Sequence, residues 1–331
     1  MIYSILLPYF LQLLFCTSDI RPPAQPDSGP GGGAYQHSDF RVTDASQEAD
    51  GYWLYEPDAP RPDSAHVIVF THGYGALNPM IYGGWIRHLV RKGNIVIFPR
   101  YQKNLLAPPP EEFPANVATA IRNALLRLDS ADHVRPITRD FSLVGHSYGG
   151  VISANLGVHY ASLGIPQPKA MLLCSPGSGP FKGAVLNRYD SLPPDLKILI
   201  MVSERDHVVG DKFGKLVFNT APQVKMRNLL RQYPDSHGSP SIDAGHNESY
   251  FLDEEFDSGL RNMTTRRAMR IGSKNAVDYF GYWKLFDALL SCQRSGEDCN
   301  IAFGNSPEQR FMGEWSDGKA VRELEVSVPQ E

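Results

Sequence analysis

The segment Gly145-His146-Ser147-Tyr148-Gly149 constrains the fold of this chain more than any other stretch. An apolar, strand-like run from Phe141 to Val144 precedes it, and a small-residue run with helical spacing follows at 150–162. A serine on so tight a strand-to-helix turn has a strained backbone. The flanking glycines allow neighbouring backbone to cross closely without Cβ clashes. The turn exposes the Ser147 hydroxyl above a sheet edge, where the new helix points its N–H groups.

Apolar strand-like runs alternate with amphipathic helical runs along most of the chain. The β-branched run 66–70 is typical of a central strand that is buried on both faces. Further strands are predicted at 52–55, 94–99, 169–174, 196–202 and 224–233, and helices at 81–91, 115–128, 150–163 and 276–290. The alternation predicts an α/β fold, a mostly parallel twisted sheet with helices on both faces. The short connection between 174 and 196 leaves little or no room for a helical lid.

The strand-to-helix turn at Ser147 and this alternation resemble the α/β-hydrolase superfamily over about residues 50 to 295. The similarity is greatest to lid-poor secreted esterases and lipases, dienelactone hydrolases, cutinases and chlorophyllase-like proteins. The resemblance implies the α/β-hydrolase fold with Ser147 as nucleophile. It also implies an oxyanion hole made by the backbone N–H groups of Tyr74, in the loop after strand 66–70, and Tyr148. His72, in the same loop, is interpreted as structural.

The resemblance further requires an acid and a histidine after Ser147 in the chain. Asp206, in the loop after strand 196–202, fits the acid, and Glu204 is its alternative. His237 follows strand 224–233 at the offset usual in the superfamily, so it is the favoured base. His246, which follows a glycine as in chlorophyllase-like members, remains the alternative base. The choice requires coordinates, because the base must lie within ~2.6–3.2 Å of the serine oxygen.

The implied reaction is hydrolysis of a carboxylic ester through an acyl-enzyme, with no cofactor. The substrate would be a small-molecule, lipid or polymer ester. The same triad could serve an acyltransferase, a peptidase or a cofactor-free haloperoxidase. A non-catalytic binding protein with this fold would be expected to lack a triad member, and none is evidently missing. No Cys/His cluster has zinc-ligand spacing, so no metal site is predicted.

The overall charge gives limited information about partners. The formal net charge is −4 with a pI near 6.2. Without a long basic run, this charge argues against nucleic acid or an anionic membrane surface as partner. The polar segment 251–274 contains several arginines and is interpreted as an irregular surface insert or docking strip.

The N-terminal residues suggest export. Residues 1–18 are interpreted as a possible signal peptide, 19–39 as a disordered Pro/Gly-rich linker, and 40–331 as a single α/β-hydrolase domain. The apolar run lacks a preceding Lys or Arg and is too short for an integral membrane span. Its end at Cys16 resembles a lipoprotein box. Export to the periplasm, secretion or lipid anchoring is therefore expected, with a cytoplasmic protein as the alternative.

Cysteine usage bears on the same question. Cys292 and Cys299 are close enough in sequence to close a small loop, and a disulfide there would fit an exported protein. The alternative is a pair of free surface thiols. Cys174 lies in an apolar strand-like run and is expected to be a buried free thiol.

Overall fold

A single sheet runs through the chain in the computed structural model, which describes residues 19–181 and 183–329. The strands are β1 (Asp39–Ala45), β2 (Tyr52–Asp58), β3 (Ser64–Thr71), β4 (Asn94–Pro99), β5 (Arg135–His146), β6 (Ala170–Cys174), β7 (Lys197–Ser203), β8 (Arg227–Gln232) and β9 (Glu325–Ser327). Their order across the sheet is β1-β2-β4-β3-β5-β6-β7-β8-β9. The possible signal peptide at 1–18 lies outside the described residues.

The sheet is parallel from β4 through β8 and antiparallel at its two edges. The run Val67–Phe70 in β3 is fully buried, as expected for a central strand between two layers of helices. The carboxyl ends of β3, β5, β7 and β8 all lie at the same edge. The predicted mostly parallel sheet is therefore confirmed, and residues that follow these strands can meet.

Helices cover both faces of the sheet. They are α1 (Gly83–Arg91), α2 (Phe113–Leu128), α3 (Tyr148–His159), α4 (Lys212–Thr220), α5 (Met263–Ile271), α6 (Lys284–Arg294), α7 (Cys299–Ala302) and α8 (Pro307–Arg310). Short 3₁₀ turns occur at Pro79–Tyr82, Pro110–Glu112 and Glu254–Phe256, and a π-helical segment, Val277–Trp283, leads into α6. One apolar core lies between the sheet and α1 and α6, and a second lies under α2, α3 and α4.

The structure differs from the sequence prediction in the segment 251–274, which was expected to be irregular. It contains α5, which Asn262 caps by accepting a hydrogen bond from the N–H of Thr265. The helix buries only Thr265 and Ala268, so its sequence has no row of large apolar residues that would mark a core-facing helix.

Residues 19–38 have neither helix nor strand, yet they are not a disordered linker. The N–H of Gly31 donates to the Asp287 carboxylate at 2.9 Å, and the Tyr35 hydroxyl lies 3.2 Å from Nδ1 of His88. Ile20 accepts a hydrogen bond from the N–H of Ser239 through its carbonyl oxygen. The expectation of disorder is therefore corrected, because polar composition did not reveal these long-range contacts.

The predicted disulfide is present between Cys292 and Cys299, whose Cα atoms are 4.7 Å apart. Cys174 is a buried free thiol in β6, and burial raises its pKa well above the ordinary value. The connection between β6 and β7 contains no helix among its described residues, which exclude residue 182. No helix within residues 19–181 or 183–329 is long and apolar enough to span a membrane.

Candidate active site

Ser147 occupies a strained turn between β5 and α3, with φ 55° and ψ −122°. Positive φ is costly for a residue with a side chain, so the surrounding structure must enforce it. A Cβ on Gly149 would lie 2.1 Å from the carbonyl oxygen of Thr71, and one on Gly145 would lie 2.4 Å from the carbonyl oxygen of Gly149. Only glycine fits at these two crossings, as the sequence predicted.

Three side chains from three loops form a continuous hydrogen-bonded chain. The Ser147 hydroxyl lies 2.9 Å from Nε2 of His246, and Nδ1 of the same ring lies 2.8 Å from Oδ2 of Asp206. With Nδ1 donating to the carboxylate, Nε2 of a neutral ring is free to accept the serine proton. All three residues are at most 8% exposed. This arrangement can remove a proton from a serine hydroxyl.

Asp206 is held by the turn that follows β7. Its Oδ1 accepts hydrogen bonds from the N–H groups of Val208 and Val209 at 2.9 and 3.0 Å. Burial raises the pKa of Asp206, but the hydrogen bonds from His246 and the two amides outweigh it, so the pKa lies below its ordinary value. The carboxylate is therefore ionised at neutral pH and can stabilise a positive charge on His246.

The two candidate bases occupy different places in the structure. His237 lies 2.8 Å from the Asp317 carboxylate through Nε2 and packs edge-on against Trp315, rather than against Ser147. After β8 the chain turns, forms a bridge between Asp235 and Ile242, and only then reaches the serine. The histidine at the usual offset from the strand therefore does not contact Ser147, whereas Nε2 of His246 does. Glu204, the alternative acid, pairs with Arg231 instead.

The two expected oxyanion donors lie on either side of Ser147. Tyr148 begins α3, and Tyr74 lies in the loop after β3. Neither backbone N–H donates to another protein group in the part of the chain that the structure describes. His72 anchors this loop. Its side chain is fully buried, and its two ring nitrogens lie 2.7 and 2.9 Å from the carbonyl oxygens of Gly73 and Arg100. This contact pattern supports a structural interpretation of His72.

Sequence reasoning missed a second buried network, formed by Tyr82 and His146. Burial lowers the pKa of His146 to about 3, so its ring is neutral and carries one N–H. Nε2 donates to the carbonyl oxygen of His246 at 2.8 Å, and Nδ1 accepts from the Tyr82 hydroxyl at 2.8 Å. The Tyr82 oxygen in turn accepts the N–H of Gly73 at 2.9 Å. The network joins the Tyr74 loop, the Ser147 turn and the His246 loop. The only signal in the sequence was a histidine inside the serine motif.

An open cleft of about 410 Å³ begins beside His246. Its walls include Val208 from the Asp206 loop, Glu248, and Arg267 and Ile271 from α5. Burial raises the pKa of Glu248 to about 7, against the effect of the hydrogen bond that it accepts from the N–H of Gly245. In the loop after β3, the ring of Tyr74 stacks on Phe181 with centroids 4.2 Å apart. A polar cleft thus borders His246, and an aromatic pair includes Tyr74.

The fold is the α/β-hydrolase fold: a mostly parallel sheet has a strained serine at the end of a central strand, and loops after later strands bring a histidine and an acid to it. A sequence model of the chlorophyllase family matches residues 51–189. The match includes Tyr74 and Ser147 and ends before Asp206 and His246. It confirms the resemblance to the α/β-hydrolase superfamily and supports, in general terms, an enzyme that hydrolyses ester bonds. No curated protein matches the chain.

Metal ligation has no basis in the residues that the structure describes. Within 19–181 and 183–329, no group of three or more His, Cys, Asp or Glu side chains is placed to hold a metal ion.

Replacing Tyr82 with phenylalanine should destabilise the protein. The substitution leaves the N–H of Gly73 and Nδ1 of His146 without their partner in a buried environment, which costs about 1–3 kcal/mol. Urea unfolding measures the change in the free energy of unfolding. Tyr233→Phe is the matched control, because the Tyr233 hydroxyl contacts the Glu325 carboxylate at the surface, and its loss should cost less than about 0.5 kcal/mol. Equal losses in the two variants would contradict a structural role for the buried network.

Glu248 should make the free energy of unfolding depend on pH. Its carboxyl has a pKa of about 7 in the folded protein against an ordinary 4.5, so the folded state binds more protons than the unfolded state between these values. Stability from this group therefore falls as pH rises from about 4.5 through about 7. Glu248→Gln removes this loss and should be more stable than the wild type at pH 8, by up to about 3 kcal/mol.

The control for this effect is Glu254→Gln, which makes the same substitution at an exposed carboxyl. Its stability profile between pH 4 and pH 8, measured by urea unfolding, should parallel that of the wild type. A Glu248→Gln profile parallel to the wild type as well would show that Glu248 ionises normally in the folded protein.

Proposed function

We propose that the protein is a serine esterase that cleaves carboxylic esters through an acyl-enzyme. Ser147 is the nucleophile, His246 the general base and then the general acid, and Asp206 the group that orients His246. The observation that carries this proposal is the pair of hydrogen bonds, 2.9 and 2.8 Å, that connects these three side chains in the order serine, histidine, acid.

In the acylation step, Oγ of Ser147 attacks the ester carbonyl carbon while its proton passes to Nε2 of His246. The backbone N–H groups of Tyr74 and Tyr148 donate to the oxygen that becomes negative in the tetrahedral intermediate. His246 then returns the proton to the departing alcohol, and the acyl group stays on Ser147. Water, deprotonated by His246, attacks the acyl-enzyme, and the acid product leaves with Ser147 restored. Each step uses side chains and backbone groups of this chain, so the reaction needs no cofactor or metal.

The substrate class proposed is an ester with an apolar portion beside the scissile bond. The stacked rings of Tyr74 and Phe181 offer an apolar surface next to the oxyanion donors, and the Tyr74 ring packs over the buried rings of Tyr148 and Phe113. Because the connection between β6 and β7 has no helix among its described residues, a bulky ester could reach Ser147 from that side. This proposal about the substrate rests on the surface beside Ser147 and not on the fold, because the same fold serves many reactions and specificity comes from the shape of the pocket.

We also propose that the protein is exported. The Cys292–Cys299 disulfide supports this, because such bonds persist in oxidising compartments. The apolar residues 1–18 retain their interpretation as a possible signal peptide, and they lie outside the residues that the structure describes.

A set of substitutions tests the triad on p-nitrophenyl esters of graded acyl length. Ser147→Ala and His246→Ala should each lower kcat by about 10⁴-fold or more, because neither the nucleophile nor its base can be replaced. Asp206→Asn should lower kcat by about 10³–10⁴-fold by favouring the wrong tautomer of His246. His237→Ala is the matched control, a histidine-to-alanine change outside the triad, and should retain wild-type kcat. Loss of activity in His237→Ala with retention in His246→Ala would overturn the assignment of the base.

The other reactions open to this triad give different results in the same assay. An acyltransferase would release p-nitrophenol faster when a small alcohol is added and would form the new ester. A peptidase would cleave the matching p-nitroanilides, and a haloperoxidase would require peroxide and halide. A non-catalytic binding protein would turn over none of these substrates. The proposal predicts hydrolysis of the esters, with the free acid as the main product.

A further inference from the structure

Exposed apolar side chains are concentrated around the mouth of the site. Among the residues that the structure describes, nine large hydrophobic side chains are exposed, and six of them lie on segments that border the site. The six are Leu106, Phe181, Val208, Met263, Met269 and Ile271. Leu106 is 92% exposed and Met263 is 75% exposed, values that are unusual for side chains of this size.

Contacts with the site place these segments at its rim. Phe181 stacks on Tyr74, and the carbonyl oxygen of Leu105, next to Leu106, accepts the Tyr74 hydroxyl. The side chain of Asn262, the cap of α5, donates to the carbonyl oxygen of Gly75 at 2.7 Å. Val208 and Ile271 line the cleft that His246 borders. The apolar tips therefore surround the entrance to Ser147.

Positive charge accompanies these apolar tips. The segment 260–274 carries Arg261, Arg266, Arg267, Arg270 and Lys274 and no acidic residue, in a chain whose formal net charge is −4. Of these five, only Arg261 forms an ion pair, with Asp257, within residues 19–181 and 183–329. The others have no carboxylate partner among the described residues. The negative overall charge argued against an anionic membrane surface, but the segment 260–274 beside the site is basic.

From this combination we propose that the rim, defined here as Leu106, Phe181, Val208 and α5, binds an anionic phospholipid surface. A short amphipathic helix with Arg on its polar side and Met and Ile beside them is suited to the boundary between headgroups and acyl chains. Each basic residue near an anionic leaflet adds to the attraction. Binding in this way would place Ser147 next to esters dissolved in the lipid.

The test uses the full chain with Ser147→Ala, so that binding is measured without hydrolysis and independently of the proposed esterase function. Sedimentation should show binding to vesicles of phosphatidylglycerol and phosphatidylcholine, little binding to phosphatidylcholine alone, and release by high salt. Adding Arg266→Glu and Arg270→Glu should weaken binding by at least about tenfold. Met263→Ser with Met269→Ser should also weaken it, because the apolar contribution is lost.

Matched controls change the same charge and polarity elsewhere. The charge control is Arg135→Glu with Lys225→Glu. Arg135 begins β5 and Lys225 precedes β8, and both are exposed at the sheet edge opposite the site. The polarity control is Leu126→Ser, which removes an exposed leucine of α2. These controls should bind vesicles as the parent does, and all variants should retain the thermal unfolding temperature of the parent. Residues 1–18 are present in every variant, so any vesicle binding by these residues contributes equally to the parent and to each variant.

Three results would overturn the proposal. They are absence of binding to anionic vesicles, equal binding to both vesicle types, and an equal loss in the rim and control variants. Proposed esterase activity is tested separately, in the Ser147-containing protein with a soluble short-chain ester. There, Arg266→Glu with Arg270→Glu should leave kcat unchanged.

Discussion

The structure depends on the close crossing of backbone segments beneath Ser147. The positive φ of this residue costs about 1–3 kcal/mol and is maintained by hydrogen bonds on both of its sides: its N–H donates to Cys174, and its carbonyl oxygen accepts from Gly177. The Thr71 hydroxyl binds the carbonyl oxygen of Gly149 at 2.8 Å and so fixes the end of β3 against the start of α3. The serine hydroxyl and the Tyr148 amide owe their positions to this crossing.

The polar groups around the serine form a connected system rather than a set of separate contacts. Asp206 is fixed by two backbone amides, and it fixes the ring of His246. The backbone of His246 is in turn fixed by His146, whose ring is kept neutral by burial. Through Tyr82 the same network reaches the loop that carries Tyr74. The neutral state of His146 affects its neighbour, because a positive charge on His146 would oppose protonation of His246.

Local patterns in the sequence were sufficient to predict the parallel strands, the position of Ser147 on its turn and the placement of Asp206 after β7. Which histidine lies next to Ser147 was not predictable, because that depends on how residues 233–245 fold. Those residues form the Asp235–Ile242 bridge and carry His237 to Asp317, a contact between residues far apart in the chain. The helix α5 was missed for a different reason: it lies on the surface, buries only Thr265 and Ala268, and contributes no large apolar side chain to the core.

The central claim, that His246 activates the Ser147 hydroxyl, is tested most directly with a fluorophosphonate, which reacts with an activated serine. The site of modification is mapped by mass spectrometry of the digested protein, and the rate of labelling is compared among the wild type, His246→Ala and His237→Ala. The account predicts modification at Ser147, at an equal rate in His237→Ala and at least about 10²-fold more slowly in His246→Ala. An unmodified Ser147 in the wild type, or labelling of His246→Ala at the wild-type rate, would contradict it.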